Sequence, residues 1–220
     1  MLKAVIITQN FPPETVGGAT YNFEMADYLS KKMDIEVITS FPSYPYGEYN
    51  NVSINDNYSF KVTRIKCYLP IKDNPTAFQR IIEYASFSIF SFFELMKKRN
   101  VDIVITSQPP EFTLYTGFVY KLLLRKKWII DIRDLWYENA INLGLIKNIT
   151  LPDIIYSNSK KFMIKYSNMI VYTADTIIQY YKQKYNYSGL SLFNPNGIDP
   201  SYYPKKNEVG NDLVYVGNIG

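Results

Sequence analysis

The stretch that most constrains this chain runs from Ala4 to Ser40. "AVIITQ" (Ala4–Gln9) is a short apolar run bounded by a turn, the pattern of a buried strand. "NFPPETVGG" breaks it with two prolines and two glycines, and "ATYNFEMADYLSKK" (Ala19–Lys32) follows with Phe23, Ala26 and Leu29 at helical spacing. "IEVITS" (Ile35–Ser40) is a second apolar run. Strand, glycine-bearing turn, helix, strand is a βαβ unit, which requires a parallel sheet and a right-handed crossover.

The alternation continues. "KVTRIKCYLP" (residues 61–70) alternates well enough for an edge strand, after a long irregular stretch from residue 41. Thr76–Lys98 repeats apolar residues at helical spacing, with Phe78, Ile82, Ala85, Ile89, Phe93 and Met96 along one side. "VDIVITSQPPE" (Val101–Glu111) is a buried strand closed by Pro-Pro; "FTLYTGFVYKLLLRKK" is a helix and "WIIDIRDLW" begins as a strand. A helix over Asp153–Ser167, a strand over Met169–Thr173 and a helix over Ala174–Tyr185 follow, the last with Ile177, Ile178 and Tyr181 inward. "LSLFNPNGIDPSYYP" enters as a strand and leaves as a turn. The pattern predicts an α/β domain over residues 1–204: a Rossmann-like parallel sheet flanked by helices. Residues 205–220 read as a linker and, in "LVYVGNIG", the opening strand of a further domain.

Composition narrows the chemistry. The chain has no histidine and a single cysteine, Cys67, so the residue types of a zinc site, a histidine general base and an internal disulfide are all missing. Acid–base work falls to carboxylates, lysine or tyrosine. A net charge of +4 suits an anionic ligand or a membrane surface without pointing to nucleic acid. The apolar run at the N-terminus is too short for a signal peptide, so the expected location is the cytoplasm.

Candidate site residues gather at strand ends. Gly17 and Gly18 stand between a strand and a helix, where backbone N–H groups and the positive end of the helix dipole receive anions. A structural turn is the competing reading; Glu14 beside them is read as facing solvent. Pro109-Pro110-Glu111 repeats the theme. In "IIDIRDLWYENA", Asp131, Arg133 and Asp134 bring charge to a buried strand's exit. Arg133 can clamp a phosphate or a sugar hydroxyl, and Asp134 can orient or deprotonate a hydroxyl; the competing reading is a structural Asp131–Arg133 pair with Trp136 as packing. Trp136 and Tyr137 also offer a platform for an apolar or sugar face. Asn196, in a turn, bonds either backbone or ligand.

The helix of residues 76–98 has ten uncharged residues between Glu83 and Glu94, short of the ~20 that a membrane span needs. Its aromatics Phe87, Phe90 and Phe92 exceed one inward stripe, and Lys97-Lys98-Arg99 follow. Peripheral contact with a membrane and burial under a partner domain both fit.

"FPPETVGG", "DIRDLW", "FNPNGID" and "LVYVGNIG", in this order and spacing, together resemble the N-terminal half of a GT-B glycosyltransferase of the retaining glycosyltransferase family 4, and "RDLW" resembles a subgroup building cell-surface polysaccharides. The resemblance implies two Rossmann-like domains facing across a cleft, the N-terminal one holding the acceptor. Gly17 and Gly18 would meet the donor's diphosphate, with Asn196 also on the ligand side, and Arg133 and Asp134 would sit near the reacting sugar. Many relatives carry histidine at about the position of Arg133, and proline where Tyr137 stands. The donor would be a nucleotide-sugar and the acceptor a lipid-linked or cell-surface glycan, with no cofactor and no metal strictly needed. The family's second-domain glutamates and diphosphate-binding basic residue are not among residues 1–220. The expectation is therefore a truncated chain, inactive alone, or one completed by a partner chain. An acceptor- or membrane-binding subunit of a two-chain transferase is the alternative. A nicotinamide or flavin enzyme fits poorly: there is no G-x-G-x-x-G, and Ser40-Phe41 rather than an acidic residue follows the second strand.

Overall fold

The computed structural model describes residues 1–44, 54–70, 75–142, 144 and 151–197. The expected linker and second-domain strand at 205–220 lie outside the described residues. Seven strands form one sheet in the order β3-β2-β1-β4-β5-β6-β7, and every neighbouring pair is parallel. They are β1 (Lys3–Ile7), β2 (Asp34–Ser40), β3 (Lys61–Ile65), β4 (Ile103–Gln108), β5 (Lys127–Ile132), β6 (Met169–Tyr172) and β7 (Ser191–Phe193). The helices are α1 (Gly17–Ser30), α2 (Ala77–Met96), α3 (Thr113–Leu124), α4 (Trp136–Asn142), α5 (Leu151–Lys165) and α6 (Asp175–Tyr185). The strand order reverses between β1 and β4, which opens a crevice at their carboxyl ends.

The central strands are apolar on both faces because both are covered. Ala4 and Ile6 of β1 pack under α1 with Ala26, Phe11 and Phe60. Val5 and Ile7 point the other way, toward Phe87 and Leu95 of α2. Farther along that second face, Trp128, Ile130 and Ile132 of β5 meet Leu114 of α3, Met163 and Ile164 of α5, and Tyr181 and Tyr185 of α6. Thus, among the described residues, α1 covers one face, while α2, α3, α5 and α6 layer the other. No described helix lies on the first face over β4 to β7.

Local chemistry sets the boundaries. Thr76 and Gln79 form a capping box: Gln79 N–H donates to Thr76 Oγ1 at 3.3 Å, and Thr76 N–H to Gln79 Oε1 at 2.8 Å. Gly117 of α3 lets the Trp128 indole close on the helix; an added Cβ would lie 2.0 Å from Trp128 Nε1. That nitrogen also donates to Thr106 Oγ1 at 2.9 Å, so the ring is held. Gly117→Ala should therefore cost about 2–3 kcal/mol, read as a lower urea midpoint at unchanged slope.

The helix over Trp136–Asn142 does not follow from apolar periodicity; it rests on Asp134 at its entry and on Glu138 reaching Lys160. Two expectations are corrected. The two glycines belong to the first turn of α1 rather than preceding it. The apolar stripe of α2 faces outward: Phe78 is 70 % exposed and Phe93 58 %, with Ile89 and Met96 also exposed, whereas Glu83, Phe87, Ser88, Ser91 and Leu95 are buried. The inward positions of α2 include hydroxyls because α3 approaches closely: Ser88 Oγ donates to Phe112 O at 2.6 Å and lies 2.8 Å from Thr116 Oγ1.

Candidate functional site

The carboxyl rim of the sheet is built around the β1 exit. Phe11 is buried in an aromatic nest of Phe23, Tyr58 and Phe60. Arg64, on edge strand β3, donates to Ser40 O at 3.0 Å and to Pro12 O, and is itself held by Asp56 at 2.8 Å. Glu14 does not face solvent, contrary to the sequence reading: it is buried, and its Oε1 accepts from the N–H groups of Ser43 at 2.7 Å and Tyr44 at 2.9 Å. Burial raises its pKa against the opposing pull of these hydrogen bonds. A short loop that must pass this many backbone groups over a rim needs such a carboxylate.

Gly17 and Gly18 open α1. Val16, at the N-cap, provides no side-chain hydrogen bond, and no acidic residue stands in the first turn. The first amides to bond back to Val16 O are those of Ala19 at 2.9 Å and Thr20 at 3.2 Å. A Cβ added to either glycine would meet nothing within 4 Å, and neither has the left-handed backbone that requires glycine. The described residues thus give no steric reason for two glycines, although each weakens a helix by about 0.5–1 kcal/mol relative to alanine. Asn22, buried one turn on, fastens this end: its Nδ2 donates to Thr8 Oγ1 and Gly18 O, each at 2.7 Å.

Arg133 converges on the same helix. Its guanidinium carbon lies 3.3 Å from the centre of the Tyr21 ring, a close cation–π stack. The fork donates to Asp131 Oδ1 at 3.5 Å, to Asn194 O at 3.2 Å and to Asn196 Oδ1. The structural Asp131–Arg133 pair is thus present, and it sits inside a larger network. Tyr21 OH donates to Asp131 Oδ1 at 3.4 Å and accepts from Asn194 Nδ2 at 3.0 Å. Ser107 Oγ donates to Asp131 Oδ2 at 3.3 Å. Asp131 is fully buried, and burial raises its pKa to about 6 despite the lowering influence of Arg133. The helix start, the β5 exit and the β7 exit are therefore tied into one rim. Sequence reasoning missed Tyr21 and Asn194; the signal available was Tyr21's place one helical turn after Gly17 and Gly18.

Asp134 is exposed and engaged locally: its Oδ1 accepts from Leu135 N–H at 2.7 Å and Asn139 Nδ2 at 3.0 Å, which fixes the entry to α4. Trp136 meets Tyr84 edge-on at 5.7 Å, and Tyr137 lies 4.2 Å from Tyr156, so both rings are packed rather than presented as a platform. Glu111, from the second Pro-Pro turn, belongs to a buried charge cluster. Lys160 Nζ stands 3.2 Å from Glu111 Oε2 and 3.3 Å from Glu138 Oε1. Tyr156 OH donates to Glu111 at 2.8 Å and Tyr185 OH to Glu138 at 3.0 Å. Burial is the largest single influence and opposes the Lys160 charge, but Glu111, Tyr181, Tyr156 and Glu138 together outweigh it and hold the ammonium well above its ordinary pKa. Sequence reasoning missed this cluster too, since Lys160 lies in a polar run, "SNSKK", that reads as surface.

Below the rim, on the sheet face that α1 leaves bare, lies a largely apolar cavity of about 480 Å³. Tyr21, Met25, Ile105, Ile129, Asp131 and Val171 are among its walls.

No protein-family model matches the chain. It is 28% identical over 158 residues to WcaI of Escherichia coli (strain K12), a protein whose description is that of a colanic acid biosynthesis glycosyl transferase; the match covers 66% of this chain and 37% of WcaI. Sucrose-phosphate synthase from Thermosynechococcus elongatus superposes on 93% of this chain with a TM-score of 0.67 at 12% sequence identity, using 50% of its own length. A second structure of that synthase covers 89% of both chains with a TM-score of 0.58. The chain thus spans little more than a third of its curated relative and half of the larger solved structure. Its fold is a Rossmann-like parallel sheet flanked by helices, matching the architecture of one half of a GT-B glycosyltransferase.

Proposed function

We propose that residues 1–204 are the acceptor-side domain of a glycosyltransferase that moves a hexose or amino-sugar from a nucleotide-sugar to a lipid-linked or cell-surface glycan, with retention of configuration. The sequence relationship to WcaI supports sugar transfer. The observation that carries the reading is the uncapped start of α1, two glycines facing open space beside the Arg133 network. Unbonded backbone N–H groups and a positive dipole end suit a diphosphate, and glycine lets its oxygens come within hydrogen-bonding distance. Charge developing on a departing diphosphate is stabilised best by such preorganised donors.

In this reading Gly17 and Gly18 face the donor's diphosphate across the cleft, and Asn196 orients Arg133 toward the ligand side. Arg133 and Asp134 shape the rim near the reacting sugar. The reading requires a donor-side half, carried by the same protein or by a partner chain.

The test uses the enzyme complete with its donor-binding half. Gly18→Val should weaken nucleotide-sugar binding about tenfold to a hundredfold, the value of one or two charge-assisted hydrogen bonds. Acceptor binding should stay within about twofold. Calorimetric titration of each ligand separates the two, and a larger loss on the acceptor side would remove the diphosphate role.

A further inference from the structure

We propose that the outer face of α2, α3 and α5 docks on a membrane surface rich in anionic lipid. The three helices lie side by side. Ser88 of α2 reaches Thr116 of α3 at 2.8 Å, and Phe118 of α3 meets Phe162 of α5 at 5.7 Å. All run antiparallel to the strands, so their C-terminal ends share the edge of the domain opposite the glycine-bearing rim.

At that edge large apolar side chains stay exposed where an ordinary solvated layer would carry polar ones. Phe93 and Met96 end α2; Leu122, Leu123 and Leu124 end α3; Phe162 lies near the end of α5. Leu123 is 60 % exposed and Phe162 53 %. Three successive exposed leucines on a helix whose other side buries Leu114, Thr116, Gly117 and Tyr120 do not follow from packing within the chain. Scattered exposed apolar residues are ordinary; this many on one edge mark a contact surface.

The charge around them selects the occupant. Lys97, Arg99, Arg125, Lys161 and Lys165 are exposed at or near the same helix ends, and exposed Lys127 opens β5 beside them. The nearby acids are already engaged: Glu94 pairs with Lys97 at 2.9 Å and Lys98 at 2.7 Å, and Asp102 accepts from Lys3 N–H at 3.0 Å. Basic residues at helix C-termini also complement the dipole, but that effect gives no reason for the leucines and phenylalanines among them. Aromatic and aliphatic side chains ringed by lysine and arginine match a headgroup layer, where apolar tips enter the interface and cations meet phosphate. Among the described residues no helix is long and apolar enough to cross a membrane, so the contact is peripheral. The surface extends the α2 stripe to three helices. It stands apart from the sugar-transfer reading, because lipid binding needs neither donor nor acceptor.

The experiment is co-sedimentation of the 220-residue chain with vesicles of phosphatidylcholine alone or mixed with phosphatidylglycerol. Binding to the anionic vesicles should be roughly a hundredfold tighter, about fivefold for each of three engaged basic side chains, and should weaken steeply with salt. Arg99→Gln and Arg125→Gln should each lose about fivefold on anionic vesicles and nothing on neutral ones. Leu122→Ser with Leu123→Ser should lose about tenfold on anionic vesicles. All four positions are exposed, and an unchanged circular dichroism melt checks the fold of each variant. Equal retention on the two vesicle types, or none at low salt, overturns the proposal. So does a concentration-dependent dimer in sedimentation velocity that the leucine variant dissociates, which would assign the face to a second copy.

Discussion

Lys160→Met should destabilise the domain by about 3–5 kcal/mol near neutral pH, because it removes the cation that stands between two buried carboxylates. Methionine fills much of the volume, so the loss is electrostatic rather than a cavity. Glu111, whose carboxyl burial already pushes up, and Glu138 would then face each other without the ammonium. For a chain of this size the melting midpoint should fall by roughly 8–16 °C. The pH dependence gives the cause away. A carboxylate whose folded-state pKa lies above its unfolded value opposes folding above the folded pKa and ceases to do so below the unfolded one. The deficit of Lys160→Met should accordingly shrink as pH falls toward about 4. Replacing all three groups by apolar residues of similar volume should recover most of the stability. A deficit that stays constant with pH would mean that packing, not charge, holds α4 and α5 together.

Asp131→Asn probes the rim itself. The pKa of Asp131 is raised to about 6, with burial the dominant cause and Arg133, Ser107 and Tyr21 acting against it. Between the ordinary carboxylate value and about 6, the folded protein holds a proton that the unfolded chain has released. Stability contributed by Asp131 therefore falls as pH rises through this window. Asparagine has no proton to lose, so the variant should gain on the parent by about 2–3 kcal/mol as pH rises from about 3.5 to about 7.5. Other acids titrate in both proteins and cancel in the difference. Urea unfolding of the pair across that range measures it; parallel curves would show that Asp131 stays ionised and that the Arg133 contact dominates. The functional consequence differs in sign. Without the carboxylate, Arg133 keeps its stack on Tyr21 and its bonds to Asn194 and Asn196 but loses its anionic anchor. A variant more stable at neutral pH yet weaker in sugar transfer would place this buried acid among groups kept for function at a cost in stability.

The fold was legible where short-range signals and tertiary environment agree. Runs such as "AVIITQ" and "IEVITS" are apolar at every position because parallel strands are covered on both faces, and the intervening helix carries its own spacing. The thirteen described elements include one, α4, that periodicity did not announce. Its helical turn after "RDLW" is fixed by Asp134 bonding Leu135 and Asn139, and by Glu138 reaching Lys160 from another helix. A seven-residue helix is too short to form on propensity alone.

By itself, then, the sequence determined the alternation of strand and helix, the parallel sheet, and the placing of Arg133 at a strand end, since each follows from residue order and period along the chain. Only the tertiary structure decided which way side chains with two options turn. Glu14 is buried because two loop amides need an acceptor, the apolar stripe of α2 faces out because Ser88 and Ser91 give α3 its close approach, and Arg133 lies on Tyr21 because β5, β7 and α1 end at one rim. These outcomes turn on partners far away in sequence, and no local pattern encodes a partner that folding alone brings near.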